Sequence, residues 1–383
     1  MDVLISGAGV AGPTLAHFLA RTGHRATVVE LAADLRSSGN PVDVRGEAVA
    51  VADSMGVMPR LREAATDVDG LRFIGPTGRP AGYIDMRAFQ GAAGDREVEV
   101  PRGSLASVLY EAGRDDAEYV FGDSIATLEQ DPGGVDVTFR KGAPRRFDLV
   151  VGADGLHSTT RRIAFGPERD YVRGIGMYVA GMPIDEEIGR DVLMYNTPGR
   201  MLALHPSRGR ALAAFIFRHP VVEDLDHRDT ERHRSIVTAA YAHDGWRVPE
   251  LLDRVRDADD LYFDAVSRVE IDTWTKGRVT LLGDASSSVS LFGDGSSSAM
   301  VGGRALAEEL SATRDLATAL RRYEERHRKV VGPRLRNVGP ASHLLVPATR
   351  TGITVRNLAT RLSPAVAAVR RLTGGRKDRP AMA

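Results

Sequence analysis

The first thirty residues constrain this chain more than any other stretch. Val3-Leu4-Ile5 is a short β-branched and aliphatic run that stops at Ser6-Gly7-Ala8-Gly9-Val10-Ala11-Gly12. Leu15, Ala16, Leu19 and Ala20 then recur at helical spacing, and Ala26-Thr27-Val28-Val29 is a second strand-like run ending on Glu30. Strand, Gly7-x-Gly9-x-x-Gly12, helix, strand and acid, in that order, predict a βαβ unit that cradles a dinucleotide. Gly7 permits the tight turn. Gly9 lets the backbone approach a pyrophosphate without a Cβ in the way, and Gly12 lets the helix pack closely on the strand. The N–H groups of the turn and helix start, around Val10 and Ala11, join the helix dipole in favouring phosphate. Glu30 is placed to accept both ribose hydroxyls, and its charge disfavours a 2′-phosphate. The pocket therefore suits FAD or NAD rather than NADP, and the motif alone leaves those two open.

Composition removes several other classes. The 383 residues give a prior of two domains, or three. Lys+Arg and Asp+Glu both number 51, an even balance that argues against a nucleic-acid binder. Cysteine is absent, so disulfides, thiolate metal sites and a redox dithiol are excluded, and the cytoplasm is the economical compartment. The ten histidines show no HExxH or HxxxH spacing, so no metal site is expected. No apolar run reaches the length of a transmembrane segment, and the N-terminus opens as a strand without the charged region of a secretory signal.

Two later stretches discriminate between cofactors. Asp148-Leu149-Val150-Val151-Gly152-Ala153-Asp154-Gly155 is a buried-type strand that ends in Asp-Gly, followed by Ser158 and Arg161. Gly277-Arg278-Val279-Thr280-Leu281-Leu282-Gly283-Asp284-Ala285 is another, ending in Gly-Asp. A small-residue stretch from Ser286 to Ser298 leads into a helix over Ala299–Leu310. With these three motifs in this order and at this spacing, residues 1 to about 310 resemble the class A FAD-dependent aromatic monooxygenases. The type is that of para-hydroxybenzoate hydroxylase and the tetracycline-inactivating monooxygenases.

The resemblance implies a role for each matching residue. Asp284 would bind the ribityl chain of FAD, and Asp154 would serve both FAD and the reduced pyridine nucleotide. Arg102, in Val100-Pro101-Arg102-Gly103, matches an arginine that opens a helix and contacts the flavin. Asp43 and Arg45 sit in the loop that runs along the cofactor, and Arg36 matches a possible NAD(P)H contact. The Gly293-x-Gly295 turn, with Gly295 and Ser297, would bring N–H groups to the flavin edge that carries charge when reduced. Asp154 and Asp284 also suit an Asx turn or a helix cap, and Arg36 and Arg45 also suit surface ion pairs. The family's acid–arginine pair is here Glu30-Leu31, and the aromatic and proline after Gly-Asp are replaced by the serine-rich run.

The fold implied is α/β, a Rossmann-like FAD-binding domain with a mainly antiparallel β-sheet substrate domain and C-terminal helices. The expected division assigns 1–70, 95–172 and 272–345 to the FAD-binding domain. Residues 71–94 and 173–271 fall to the substrate domain, and 346–383 to a C-terminal helix and tail. Hairpin signals cover 70–88, short strands fill 117–152, and helical patterns at 229–242 and 249–256 interrupt the strands between Gly174 and Val269. Phe73, Met177, Tyr178, Phe215, Phe217 and Phe263 sit on elements that suit either core or pocket wall. His205 and His219 read as structural histidines before bases, so no catalytic side chain is assigned. Past Ser311 a long charged helix runs from about Arg314 to Leu345. In Ile353–Leu372 an apolar stripe of Val355, Leu358, Leu362, Val366, Val369 and Leu372 predicts a helix docked by that stripe, with its arginines in solvent. A membrane-surface or partner helix is the alternative. Residues beyond Gly374 read as a disordered tail.

The resemblance further implies the chemistry. FAD, reduced by NADPH or NADH, reacts with O2 and transfers oxygen through a flavin C4a-hydroperoxide to a small-molecule aromatic or polyketide-like substrate. A FAD-binding scaffold or flavoprotein cyclase without oxygen transfer is the alternative. A flavin-dependent halogenase is disfavoured because no WxWxIP element is present, Trp246 and Trp274 standing alone. An NAD-dependent dehydrogenase would leave the two later motifs unexplained.

Overall fold

A computed structural model describes residues 1–35, 41–86, 96–207, 210–222, 225–226, 229–258, 261–288 and 294–360, without the side chains of 294, 334 and 336–341. The chain divides into two compact units, one of Met1–Thr66, Gly94–Gly176 and Ala265–Gly339, the other of Asp67–Ala93, Met177–Asp264 and Pro340–Ala383.

The first unit is built on a six-stranded sheet in the order Thr275–Lys276, Val279–Leu281, Leu149–Gly152, Asp2–Ser6, Arg25–Glu30, Glu118–Phe121. All neighbours are parallel except the first pair. Strands buried on both faces need apolar runs, which Val3-Leu4-Ile5 and Leu149-Val150-Val151 supply. In Val279-Thr280-Leu281 the buried Thr280 hydroxyl is satisfied by the Thr275 hydroxyl and the Trp274 carbonyl. Alternate residues serve opposite faces. Val3, Ile5, Val28, Leu149, Val151 and Leu281 pack among the helices Ala11–Arg21, Glu47–Ser54, Arg102–Gly113 and Asp294–Ala312. Leu4, Val29, Val150 and Val279 pack instead on Ile125, Val135, Val137 and Phe147 of a three-stranded antiparallel sheet, Ile125–Asp131, Gly134–Phe139 and Arg145–Phe147. A separate ribbon pairs Pro41–Val44 with Val98–Pro101.

The second unit carries a seven-stranded sheet in the order Tyr262–Val269, Val172–Ile184, Ala211–Arg218, Arg200–His205, Asp191–Thr197, Gly70–Ile74, Pro80–Asp85. It is mainly antiparallel, as expected, and Asp191–Thr197 lies parallel to Gly70–Ile74. The helices Thr230–Tyr241 and Val248–Asp257 fall where their periodicity predicts. The Tyr241 hydroxyl donates into the sheet, to the carbonyls of Met201 (2.7 Å) and Ile216 (3.0 Å), and its ring meets Phe215 edge-on at 5.1 Å. Phe73, Met177, Tyr178, Phe215, Phe217 and Phe263 are all buried. The histidines at 205 and 219 each donate an Nδ1–H to the carbonyl of the following proline, at 2.8 and 2.9 Å.

The long charged helix spans Leu316–Leu345. Residues 350–360 are helical, but the expected polarity is overturned: Val355 and Leu358 are 62% and 56% exposed, and Arg356 is buried. The reason is local. The Arg356 guanidinium lies 4.1 Å over the Phe73 ring and donates to the carbonyls of Leu344 and Leu345, where the preceding helix ends and its dipole is negative. The Arg361–Leu372 part of the stripe and the tail lie outside the described residues.

Candidate functional site

The three sequence motifs meet because their strands end in step. Ser6 is the register partner of both Gly152 and Val29, and Gly152 is the partner of Leu281. Each strand hands over to a motif loop within one or two residues of that line. The departures are hydrogen-bonded across the sheet: the Gly7 N–H donates to Val29 O (2.8 Å), Ala153 N–H to Ser6 O (2.8 Å) and Leu282 N–H to Gly152 O (2.9 Å). Loops at the carboxyl ends of adjacent parallel strands form the crevice in which such sheets bind ligands.

Within the first loop the glycines divide as their spacing predicts. Gly7 has φ +109°, and a Cβ there would collide with the Ala153 carbonyl of the neighbouring motif. A Cβ on Gly12 would collide with the Gly7 carbonyl oxygen, and would stand 3.4 Å from Ile5 Cγ2. Gly9 differs: it is exposed, and a Cβ there would have no heavy atom within 4 Å. Helix Ala11–Arg21 begins at Val10 with no side-chain cap, so its first N–H groups keep their capacity for an anion. A cradle open at Gly9 and lined with such donors fits a pyrophosphate. Glu30 is half-buried beside it, its Oε2 accepting the Ala8 N–H (2.8 Å) and its Oε1 the Ala32 N–H (2.8 Å). Each oxygen retains a lone pair for a sugar hydroxyl.

Asp154 has more protein partners than a simple ligand-binding carboxylate. The Ser158 hydroxyl donates to its Oδ1, and the Thr160 N–H and hydroxyl (2.9 Å each) and the Ser6 hydroxyl (3.3 Å) donate to its Oδ2. It ties the strand end to the helix Thr159–Ala164, whose N-cap is Ser158.

Asp284 lies in the turn Gly283–Ala285, its Oδ1 placed 3.3 Å from where Gly295 would carry a Cβ. The carboxylate therefore faces the first turn of helix Asp294–Ala312. Gly283, with φ +64°, holds this turn close to the first motif: its Cβ would stand 3.2 Å from that of Ala11 and 3.6 Å from that of Ala299. Ser297, wholly buried, stitches the same helix to the ribbon at 41–44. Its hydroxyl donates to Asp43 O (2.7 Å) and accepts the Arg45 N–H (3.1 Å), while the Arg45 guanidinium pairs with the Asp43 carboxylate. Arg102 opens its helix as expected and is exposed. Its strand register pairs Pro101 with Pro41, which sets it near the start of the Asp43–Arg45 segment. Gly7, Gly9, Val10, Ala11, Gly12, Glu30, Asp43, Arg45, Arg102, Asp154, Asp284, Gly295 and Ser297 all fall within the first unit. Arg36 and the start of the Gly293-x-Gly295 turn lie outside the described residues.

Two features had no assigned role in the sequence. Arg161 is fully buried; it donates to Leu156 O (2.6 Å) and Ala285 O (3.0 Å) and so ties the Asp-Gly loop to the Gly-Asp loop. Burial depresses its pKa from the usual guanidinium range, partly opposed by Glu168 and Asp154. The signal was Ser158-x-x-Arg161, since the Ser158 hydroxyl accepts the Arg161 N–H and caps the short helix. The second is Gly302-Gly303, mid-helix, where a Cβ on Gly303 would press on Leu15 N at 3.2 Å. Paired glycines inside a helix signal such an approach.

Residues 1–337 match the model of the FAD binding domain family. An uncharacterized protein of Mycobacterium tuberculosis is 38% identical over 289 residues, covering 74% of this chain and 77% of the relative. A flavin-dependent monooxygenase from an unknown prokaryotic organism is 34% identical over 291 residues, covering 75% of this chain and 74% of its own length. Among solved structures, the tetracycline destructase Tet(51) superposes with a TM-score of 0.81 at 27% identity, covering 100% of this chain and 99% of that one. Family match, relatives and fold agree with the motif geometry: this chain belongs to the FAD binding domain family and is an FAD-dependent oxidoreductase of the class A flavoprotein monooxygenases.

Proposed function

We propose that this protein uses NADH or NADPH and O2 to hydroxylate an aromatic or polyketide-like small molecule. The reading is carried by the shared register of Ser6, Gly152 and Leu281, which gathers three motif loops at one sheet edge. FAD, when bound, supplies the chemistry: it accepts a hydride from the reduced pyridine nucleotide and activates O2 for transfer of one oxygen atom. The chain's own tasks are to bind, orient and exclude water. In this reading Gly9 and the N–H groups at Val10 and Ala11 take the pyrophosphate, and Glu30 takes the adenosine ribose. Asp284 takes the ribityl hydroxyls, Gly295 and Ser297 set the adjoining helix start, and Asp43, Arg45 and Arg102 flank the cofactor. Asp154 acts through Ser158 and Thr160 by fixing the loop beside Gly7. Similarity to a tetracycline destructase supports a polycyclic, phenol-bearing acceptor.

The test is to purify the protein, record its flavin spectrum, and follow NADH and NADPH oxidation with O2 consumption, with and without phenolic and polycyclic polyketide candidates. The expected result is substrate-stimulated oxidation and a product that gains one oxygen atom. Bound FAD that neither nucleotide reduces would contradict the proposal and favour a non-oxygenating scaffold or cyclase.

A further inference from the structure

The inverted helix at residues 350–360 has a consequence for what the second unit presents to its surroundings. With Arg356 drawn inward over Phe73, Val355 and Leu358 are held outward by the same contact. Leu344, on the turn whose carbonyls Arg356 binds, is 64% exposed. Seven large apolar side chains are exposed among the described residues, and three of them fall between 344 and 358. Single exposed aliphatics scattered over a surface need no explanation, but a concentration does.

The charge pattern of the same stretch is equally uneven. From Arg350 to Lys377 the sequence has seven Arg and Lys, the inward-turned Arg356 among them, and no Asp or Glu, in a chain that balances 51 against 51 overall. Such local asymmetry marks an anionic partner. A nucleic acid would satisfy the cations and leave Leu344, Val355 and Leu358 in water. A second copy of the chain would cover the aliphatics and set two cationic segments against each other. An anionic lipid surface satisfies both at once, because aliphatic side chains enter the headgroup boundary while arginines meet lipid phosphates. Among the described residues no helix is long and apolar enough to cross a membrane, so the contact is peripheral.

We propose that the outer face of the 350–360 helix, with Leu344, Val355 and Leu358, is a docking surface for an anionic lipid membrane. The inference is independent of the assigned reaction. It is tested by flotation of the FAD-loaded full chain with vesicles of phosphatidylcholine alone or with about one-third phosphatidylglycerol, at low salt where cation–lipid attraction is unscreened. Binding to the anionic vesicles should be at least about tenfold stronger than to the neutral ones. The Val355→Asp/Leu358→Asp variant should lose at least about tenfold of that binding, since it removes two aliphatic insertions and adds repulsion. Val221→Asp, at another exposed aliphatic of the second unit, should bind as the wild type does. Melting curves check folding, and Val355→Ser/Leu358→Ser carries the same prediction if the aspartates unfold the helix. Equal binding to both vesicle types would overturn the proposal, as would undiminished binding by the double variant. So would a wild-type dimer that the double variant dissociates, or a DNA duplex bound as tightly as the anionic vesicles by wild type and double variant alike.

Discussion

A Cβ on Gly12 would collide with the carbonyl oxygen of Gly7, five residues earlier in the same loop. The first motif is therefore closed on itself by contact between two of its glycines, while Gly9 between them faces open space. Two of the glycines are packed against the protein's own backbone, and the one between them is not.

Gly12→Ala should consequently damage the fold itself. The added methyl must push helix Ala11–Arg21 away from the strand Asp2–Ser6, at an overpacking cost of about 1–3 kcal/mol. The expected outcome in thermal melts is a lower Tm together with loss of bound flavin. A variant with wild-type Tm would show that the helix can shift without cost.

Ser297→Ala tests the stitch between helix Asp294–Ala312 and the Asp43–Arg45 segment. Removing the hydroxyl leaves the Arg45 N–H and the Asp43 carbonyl without this partner inside the protein. Urea unfolding should register a loss of about 1–3 kcal/mol, with weaker FAD retention because both segments flank the proposed cofactor path. An unchanged unfolding midpoint would mean that another group replaces the hydroxyl.

Acid should weaken the fold through its buried histidines. His233 is stacked on Phe263 at 4.4 Å and donates its Nε2–H to Asp226 O, and burial lowers its pKa below 6.5. His17 and His24 shift the same way, with burial as the main cause. A histidine held neutral in the fold but protonated once unfolded takes up a proton on unfolding. Its stabilising share is present above about pH 6.5 and is lost as pH falls from there toward the lowered folded value. The urea midpoint should drop between about pH 7.5 and pH 5.5, and His233→Gln should flatten that drop. An equally steep drop in the variant would remove His233 from the explanation.

Much of the first unit was legible because its signals are local or end in a distinctive loop. Val3–Glu30 states its own βαβ unit. The later strands, although far away in sequence, end in Ala153-Asp154 and Gly283-Asp284, and these endings mark where they join the sheet. The protein partners of Asp154 were harder to see, because they come from Ser158 and Thr160, four and six residues on, each offering a hydroxyl. Helix 350–360 was misread for a different reason. Counting its apolar stripe treats every aliphatic as inward-seeking. The deciding force is the pull on Arg356 from the Phe73 ring and the carbonyls of Leu344 and Leu345, and a ring that distant in sequence leaves no trace in the helix's own pattern.

The most direct measurement is FAD titration of the Gly9→Val apoprotein, read by flavin fluorescence alongside a thermal melt. The protein itself leaves room for a side chain at this position, so the melt should match that of the wild type. Affinity for FAD should fall by at least about a hundredfold, because the valine occupies the path of the pyrophosphate past the backbone. Wild-type FAD affinity in a normally folded Gly9→Val protein would contradict the account, for it would mean that the diphosphate does not cross this turn.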